Sequence, residues 1–111
     1  FKIYSGDDPS FLKMLSLGGH GVISVAANVV PKSISSIYTF YQNNEVEKAE
    51  EINNKLNNLY DLLFIQSNPM PVKWMMYKMG LIQNVLRLPL VELDKKYQEI
   101  IISEMLKLEL L

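Results

Sequence analysis

The chain has 111 residues, of which 49% are hydrophobic and 21% are charged, and these fractions are typical of one folded domain. Its 11 basic and 12 acidic side chains give a formal net charge of −1, which disfavours nucleic-acid binding as the main role. Cysteine is absent, so disulfides and zinc–thiolate sites are excluded. Neither an apolar run of about 18 residues nor a secretory signal occurs, and we expect no membrane span and a cytoplasmic protein.

The first 30 residues predict a β-α-β unit. Residues 1–5 are aromatic and β-branched, and residues 21–25 form a continuous apolar run, the pattern of a buried parallel strand. Between them, Asp8 is predicted to cap a helix whose first residue is Pro9, and the two glycines at 18–19 are predicted to end that helix. The interval between the two strands is long enough for a right-handed helical crossover. The chain begins inside the first strand and without methionine, which we interpret as a cut edge.

The rest of the chain is predicted to be helical, which makes the chain mainly α by content. Pro31 opens one helix, and Asn44 begins another with Glu47 in the capping-box position. Apolar residues then recur at spacings of three and four along one predicted face: Val46, Ala49, Ile52, Leu56, Leu59 and Leu63. This stripe predicts one continuous helix.

Two more helices are predicted in the last part of the chain. One begins at Pro69 and ends at Gly80, a natural left-handed stop. Residues 86–93 are predicted to be irregular, and Asp94 is predicted to cap the last helix. The residues of that helix expected to face inward are Tyr97, Ile100, Ile101, Met105 and Leu108.

Candidate binding residues follow both predicted strands. Gly6 and Asp7 come at the carboxyl end of the first strand, where α/β barrels collect their binding residues, whereas Asp8 is interpreted as a helix cap. Ile23 lies at the equivalent end of the second strand, beside small residues that leave room for a small substrate: Ser24, Ala26 and Asn28. The sequence therefore places candidate substrate-binding residues at two neighbouring strand ends.

We expect ordinary structural roles for His20 and Lys73, which are residue types that can also form functional sites. His20 is the only histidine and cannot build a metal cluster, so we expect a structural residue. The glycines around it close a helix and enter a strand, the reverse of the order in a phosphate-binding loop. Lys73 lies in an apolar segment, and we expect it to extend to solvent or to pair with a carboxylate.

Four segments together resemble a known enzyme family. Residues 5–8, 17–29, 68–74 and 86–90, in this order, resemble the C-terminal part of the dihydrodipicolinate synthases. The resemblance implies a (β/α)8 barrel and a class I aldolase-like lyase that condenses pyruvate with aspartate-4-semialdehyde on the way to diaminopimelate and lysine. It implies that the two strands are the seventh and eighth of the barrel, that residues 1–43 close it, and that residues 44–111 are a three-helix C-terminal extension.

The resemblance also decides which functional residues to expect. The family's Schiff-base lysine is on the sixth strand, and its proton-relay tyrosine and threonine and its substrate arginine come earlier, so no catalytic residue falls on this chain. Only the rim of the pyruvate site carries over, as Gly6, Asp7 and the backbone carbonyl of Ile23. The family implies no cofactor or metal, a cytoplasmic homotetramer, and an inactive chain in the absence of the N-terminal part of the barrel.

Two alternatives stay open. Neuraminate lyases and keto-deoxy-sugar aldolases share the barrel, although residues 68–74 and 86–90 resemble the synthase branch more closely. A non-catalytic helical module that associates with itself is the alternative from a different class of protein.

Overall fold

A computed structural model describes all 111 residues and shows a mostly helical chain with one small parallel sheet. The elements, in chain order, are β1 (Tyr4–Ser5), α1 (Phe11–Ser16), β2 (Gly21–Val22), a 3-10 turn (Ala26–Asn28), α2 (Pro31–Gln42), α3 (Val46–Lys55), α4 (Asn57–Leu62), α5 (Met70–Lys78) and α6 (Lys95–Lys107). The chain divides into two compact units, Phe1–Tyr60 and Asp61–Leu111. No helix combines the length and the apolarity that crossing a membrane would require.

The first unit contains the predicted β-α-β arrangement. β1 and β2 pair in parallel, with Tyr4 opposite Gly21 and Ser5 opposite Val22. The backbone N–H of Ile23 extends this pairing by donating to the Ser5 carbonyl at 2.9 Å. Each strand has only two residues, whereas longer strands were predicted. The second strand ends early because the chain after residue 23 enters the 3-10 turn instead of continuing along β1.

The prediction that Asp8 caps the crossover helix is wrong. Helix α1 begins at Phe11, after Ser10, and no side chain caps its N-terminus. The Asp8 carboxylate instead binds groups that follow β2, 16 to 18 residues away. The end of α1 matches the prediction, because Gly18 has a φ of +90°, a left-handed conformation that glycine adopts without steric cost.

Helices α2 and α3 and the first residues of α4 follow in the first unit. Pro31 is the first residue of α2, as predicted, and the helix buries Ile34 and Ile37. The predicted capping box is absent, because Asn44 adopts a left-handed turn at φ 61° and no side chain caps α3. The predicted continuous helix is also wrong, since the chain breaks at Leu56 between α3 and α4.

The apolar stripe along α3 and α4 nevertheless predicts buried residues. Ala49, Leu56, Leu59 and Leu63 are almost fully buried, whereas Val46 in the first turn of α3 is exposed. The periodicity therefore predicted the buried face even though the helix is interrupted.

In the second unit the predicted end of α5 and the predicted cap of α6 are confirmed. Gly80 follows α5 with a φ of +74°, residues 86–93 contain no helix or strand, and the Asp94 carboxylate accepts the Lys96 N–H at 3.2 Å. In α6, Ile101 and Met105 are buried, but Ile100 is 52% exposed and the prediction that it faces inward is wrong. Adjacent residues of a helix point about 100° apart, so the burial of Ile101 does not bring Ile100 into the core.

Candidate functional site: the carboxyl ends of the two strands

The candidate site is the edge at which the two strands end. Parallel strands point the same way, so the segments that follow β1 and β2 emerge side by side. The 2.9 Å hydrogen bond from the Ile23 N–H to the Ser5 carbonyl joins these segments directly. Gly6 and Asp7, which follow Ser5, and Ile23 are therefore brought to one edge, as the sequence predicted.

The loop after β1 is ordered by a set of short-range hydrogen bonds. The buried Ser5 hydroxyl donates to the Asp7 carbonyl at 2.7 Å and accepts the Asp7 N–H at 3.2 Å. The Asp7 carboxylate accepts a hydrogen bond from the Ser10 hydroxyl, and the Asp7 side chain is exposed. This loop therefore presents a carboxylate to solvent on a backbone that is already fixed.

Gly6 has no structural requirement for glycine within this chain. A Cβ atom at this position would meet no atom within 4 Å, and the φ of Gly6 is not positive. Gly19, by contrast, has no space for a Cβ, which would lie 2.9 Å from the Met14 carbonyl oxygen. The space beside the Gly6 Cα is thus open within this chain, which leaves room for close approach to the backbone.

Ile23 presents backbone groups and an exposed side chain at the same edge. Its N–H is bound to Ser5, whereas its carbonyl oxygen accepts no hydrogen bond from any group of the chain. The side chain is 73% exposed, so packing within the chain does not hold it. A free carbonyl beside an open glycine is suited to shaping a small-molecule site, and it provides no nucleophile or base.

Asp8 is the residue of this edge whose role the sequence reasoning missed. It is only 1% exposed, and its carboxylate accepts hydrogen bonds from the Ser24 hydroxyl, the Val25 N–H at 3.1 Å and the Ala26 N–H at 2.9 Å. A buried carboxylate requires donors, and these three satisfy it. The only sequence signal was a pair of adjacent acids after a strand, which does not identify partners that far along the chain.

Tyr60 lies in the same electrostatic environment as Asp8. Its side chain is 2% exposed and its hydroxyl donates to the Asn53 amide oxygen at 3.0 Å. Burial, and then the negative charge of Asp8, raise the pKa of the Tyr60 phenol far above its ordinary value. The phenol is therefore a neutral hydrogen-bond donor throughout the physiological pH range.

The other residues considered as sites have structural surroundings. His20 Nδ1 accepts the Ile3 N–H at 3.1 Å, and the His20 N–H donates to the Ile3 carbonyl at 2.7 Å, which confirms the structural role expected for it. Lys73 is half-buried in α5 and makes no ion pair, so the predicted pairing with a carboxylate is not found. The two loop segments, 5–8 and 23–28, contain no lysine, arginine or histidine.

A parallel β-α-β unit with polar and open positions at the carboxyl ends of its strands is typical of α/β proteins, a class in which ligands commonly bind at that edge. The family model of the dihydrodipicolinate synthetases matches residues 1–107, and the chain belongs to that family.

The sequences of individual relatives agree with this family assignment. The 4-hydroxy-tetrahydrodipicolinate synthase of Nitrosomonas europaea is 47% identical over 107 residues, which are 96% of this chain and 37% of that protein. The synthase of Thermoanaerobacter sp. strain X514 is 47% identical over the whole chain and 37% of its own length. The chain thus spans little more than a third of the curated relatives that it matches.

Solved structures of the same family, which are TIM-barrel enzymes, superpose on the chain. Dihydrodipicolinate synthase from Thermotoga maritima matches with a TM-score of 0.97 and 40% identity, covering 100% of this chain and 38% of that one. The chloride-inhibited synthase from Acinetobacter baumannii, complexed with pyruvate, matches with a TM-score of 0.94 and 38% identity over the same shares.

Proposed function

We propose that this chain is the C-terminal part of a pyruvate-dependent lyase that condenses pyruvate with aspartate-4-semialdehyde in the diaminopimelate and lysine pathway. In this proposal the reaction proceeds through a Schiff base on a lysine that lies outside residues 1–111. The chain supplies one side of the pyruvate pocket and the helices that follow the barrel.

One observation carries the proposal. Three residues that the resemblance assigns to the pyruvate rim, Gly6, Asp7 and Ile23, lie at one edge of the parallel sheet in a chain that matches the family over residues 1–107. The open space beside Gly6 and the unbound carbonyl of Ile23 give this edge the properties of a contact surface for a small carbonyl compound. The pyruvate complex of the Acinetobacter baumannii relative agrees with the substrate class.

The residues of the two rim loops support a role in substrate binding for this chain and a role in covalent chemistry for the N-terminal part. A class I lyase needs an amine nucleophile in its pocket. The two rim loops contain none, and Lys73 lies on α5 in the second unit. Gly6, Asp7 and Ile23 would therefore shape and orient the bound substrate, and the covalent step and the proton transfers would use residues of the N-terminal part.

The two-stranded sheet supports the assignment of β1 and β2 as the seventh and eighth strands of a barrel. Both outer edges of the sheet are unpaired, and Tyr4 on β1 and Ile3 just before it expose large apolar side chains. Closing a barrel would pair both edges and cover such side chains. The proposed partners are thus the N-terminal part of the barrel and, as in the resembled family, further copies in a homotetramer.

The test is reconstitution. The 111-residue chain is mixed with the complementary N-terminal segment of the parent protein, and pyruvate consumption is measured with aspartate-4-semialdehyde and, separately, with N-acetylmannosamine and with sugar-derived aldehydes. We expect activity only in the mixture and only with the semialdehyde. In that mixture Gly6→Val and Ile23→Trp should lower turnover by crowding the pocket.

Several results would count against the proposal. Preference for a sugar aldehyde would assign the chain to another branch of the lyases. A well-folded mixture in which Gly6→Val and Ile23→Trp leave the rate unchanged would remove these residues from the substrate rim. A folded mixture without activity on any of the aldehydes would favour the non-catalytic module.

A further inference from the structure

We propose that Asp8 is a positioning residue: its buried carboxylate sets the backbone of residues 23–26 and thereby the direction of the Ile23 carbonyl. The catalytic consequence rests on the proposed function, in which that carbonyl faces the pyruvate pocket. The backbone part of the proposal concerns this chain alone and can be tested without any activity.

The Asp8 carboxylate accepts three hydrogen bonds from the segment that follows β2. One carboxylate oxygen of Asp8 accepts the Ser24 hydroxyl, and the other accepts the N–H groups of Val25 and Ala26 at 3.1 and 2.9 Å. The Ser24 oxygen also accepts the Ala27 N–H at 2.9 Å, so its single proton is directed to Asp8. One side chain from the other loop therefore binds the Ser24 hydroxyl and the two backbone N–H groups that follow it.

Asp8 is the only residue of the chain that accepts the N–H groups of Val25 and Ala26. The 3-10 turn Ala26–Asn28 is preceded by Val25, which has no polar side chain and makes no side-chain cap. The first N–H groups of a helical turn lack partners within the turn and need an acceptor from elsewhere. Asp8 supplies that acceptor from the end of β1, and its 1% exposure shows that water does not compete for the site.

The Asp8 carboxylate restrains the backbone on the C-terminal side of Ile23. This residue lies between two anchors: its own N–H is bound to the Ser5 carbonyl at 2.9 Å, and the next residue, Ser24, is bound to Asp8. Its side chain is 73% exposed and contributes little to holding it. The peptide plane that carries the Ile23 carbonyl lies between the two anchors, so releasing the Asp8 anchor frees that plane to rotate.

The experiment compares Asp8→Ala, Asp8→Asn and Ser24→Ala with a matched control, Ile101→Val, which removes one methyl group from a fully buried site in the second unit. Amide hydrogen exchange and the carbonyl carbon NMR shift of Ile23 are measured on the isolated chain. We expect Asp8→Ala to increase exchange at Val25 and Ala26 at least ten-fold and to move the Ile23 carbonyl signal. Asp8→Asn keeps one acceptor oxygen and should restore part of the protection, while Ile101→Val should change neither signal.

The same variants are then assayed in the reconstituted mixture. We expect Asp8→Ala to lower kcat/KM for pyruvate at least ten-fold, mainly through KM, and Ile101→Val to leave it unchanged. Unchanged exchange and an unchanged Ile23 carbonyl signal in folded Asp8→Ala would overturn the proposal, and so would equal changes in Ile101→Val. Should Asp8→Ala fail to fold, Ser24→Ala decides in its place through the Ile23 carbonyl signal, because it removes the hydroxyl donor to Asp8 and, besides that, only the acceptor of the Ala27 N–H.

An inactive wild-type mixture would refute the proposed function and not the positioning role, which the exchange and NMR measurements decide by themselves. Altered backbone signals together with an unchanged kcat/KM in an active mixture would overturn the catalytic consequence, since the carbonyl would then have no contact with the reaction.

Discussion

Replacement of Tyr60 by phenylalanine should change stability in opposite directions at neutral and at alkaline pH. The Tyr60 hydroxyl is buried and donates one hydrogen bond to Asn53 at 3.0 Å. Its removal should therefore cost about 1 kcal/mol at pH 7, the net value of one such bond. Asn53 is half-buried, and water can replace the lost partner, which keeps the cost at this level.

The alkaline effect follows from the raised pKa of Tyr60. Burial and the charge of Asp8 keep the folded-state phenol protonated, whereas in the unfolded chain it ionises with a pKa of about 10. A raised folded-state pKa contributes stability that is complete below pH 10 and is lost as the pH rises above it. At pH 11 ionisation in the unfolded chain alone removes about 1.4 kcal/mol. The wild-type chain should then be less stable than Tyr60→Phe by about 0.4 kcal/mol.

Urea unfolding followed by circular dichroism between pH 7 and pH 11 measures this difference. All other titrating groups are shared by the two chains, so their contributions cancel in the comparison. We expect the two unfolding free energies to converge above pH 10 and to cross before pH 11. A difference that is independent of pH would show that the Tyr60 phenol ionises equally well in the folded chain, and the account of its burial beside Asp8 would be wrong.

Three further predictions follow. Gly19→Ala places a Cβ 2.4 Å from Met14 Cγ and 2.9 Å from the Met14 carbonyl oxygen, so it should lower the free energy of unfolding by about 1 to 3 kcal/mol. Gly6→Ala meets no atom within 4 Å and should change that free energy by less than about 0.5 kcal/mol. Urea unfolding at pH 7 tests both variants, and equal effects would contradict the contacts given for the two glycines. The buried Glu104 has a carboxylate oxygen without a hydrogen-bond partner, so Glu104→Met should stabilise the isolated chain by about 1 to 3 kcal/mol, and a loss of stability in the same assay would count against this. The unpaired edges of the two-stranded sheet should recruit other copies, so light scattering should show a dimer or a larger species; a monomer whose strands remain paired in parallel would contradict this.

Sequence patterns within a few residues predicted several helix starts and helix ends. Pro31 begins α2, Gly80 follows α5, and Asp94 caps α6, because in each case the conformational preference or the hydrogen bond is settled within one helical turn. The apolar spacing likewise predicted the buried residues of α3 and α4. It did not predict the break at Leu56, since a periodic stripe is compatible with a continuous helix and with two consecutive ones.

The candidate site shows the limit of local reasoning. The order of strand, helix and strand was sufficient to place Gly6 and Ile23 at one edge, because a right-handed crossover makes the strands parallel. For Asp8, the same reasoning chose the nearest unpaired N–H groups, those of α1. The structure pairs it with N–H groups 17 and 18 residues away, and only the folded backbone brings these groups within reach.

Trapping of the covalent intermediate tests most directly whether this chain is the non-covalent side of a pyruvate site. The isolated chain and the chain mixed with the complementary N-terminal segment are each incubated with pyruvate and borohydride, and both polypeptides are analysed by mass spectrometry. We predict a stoichiometric adduct on a lysine of the N-terminal segment in the mixture, and none on the 111-residue chain in either sample. A stoichiometric adduct on Lys73 or on any other lysine of this chain would contradict the account.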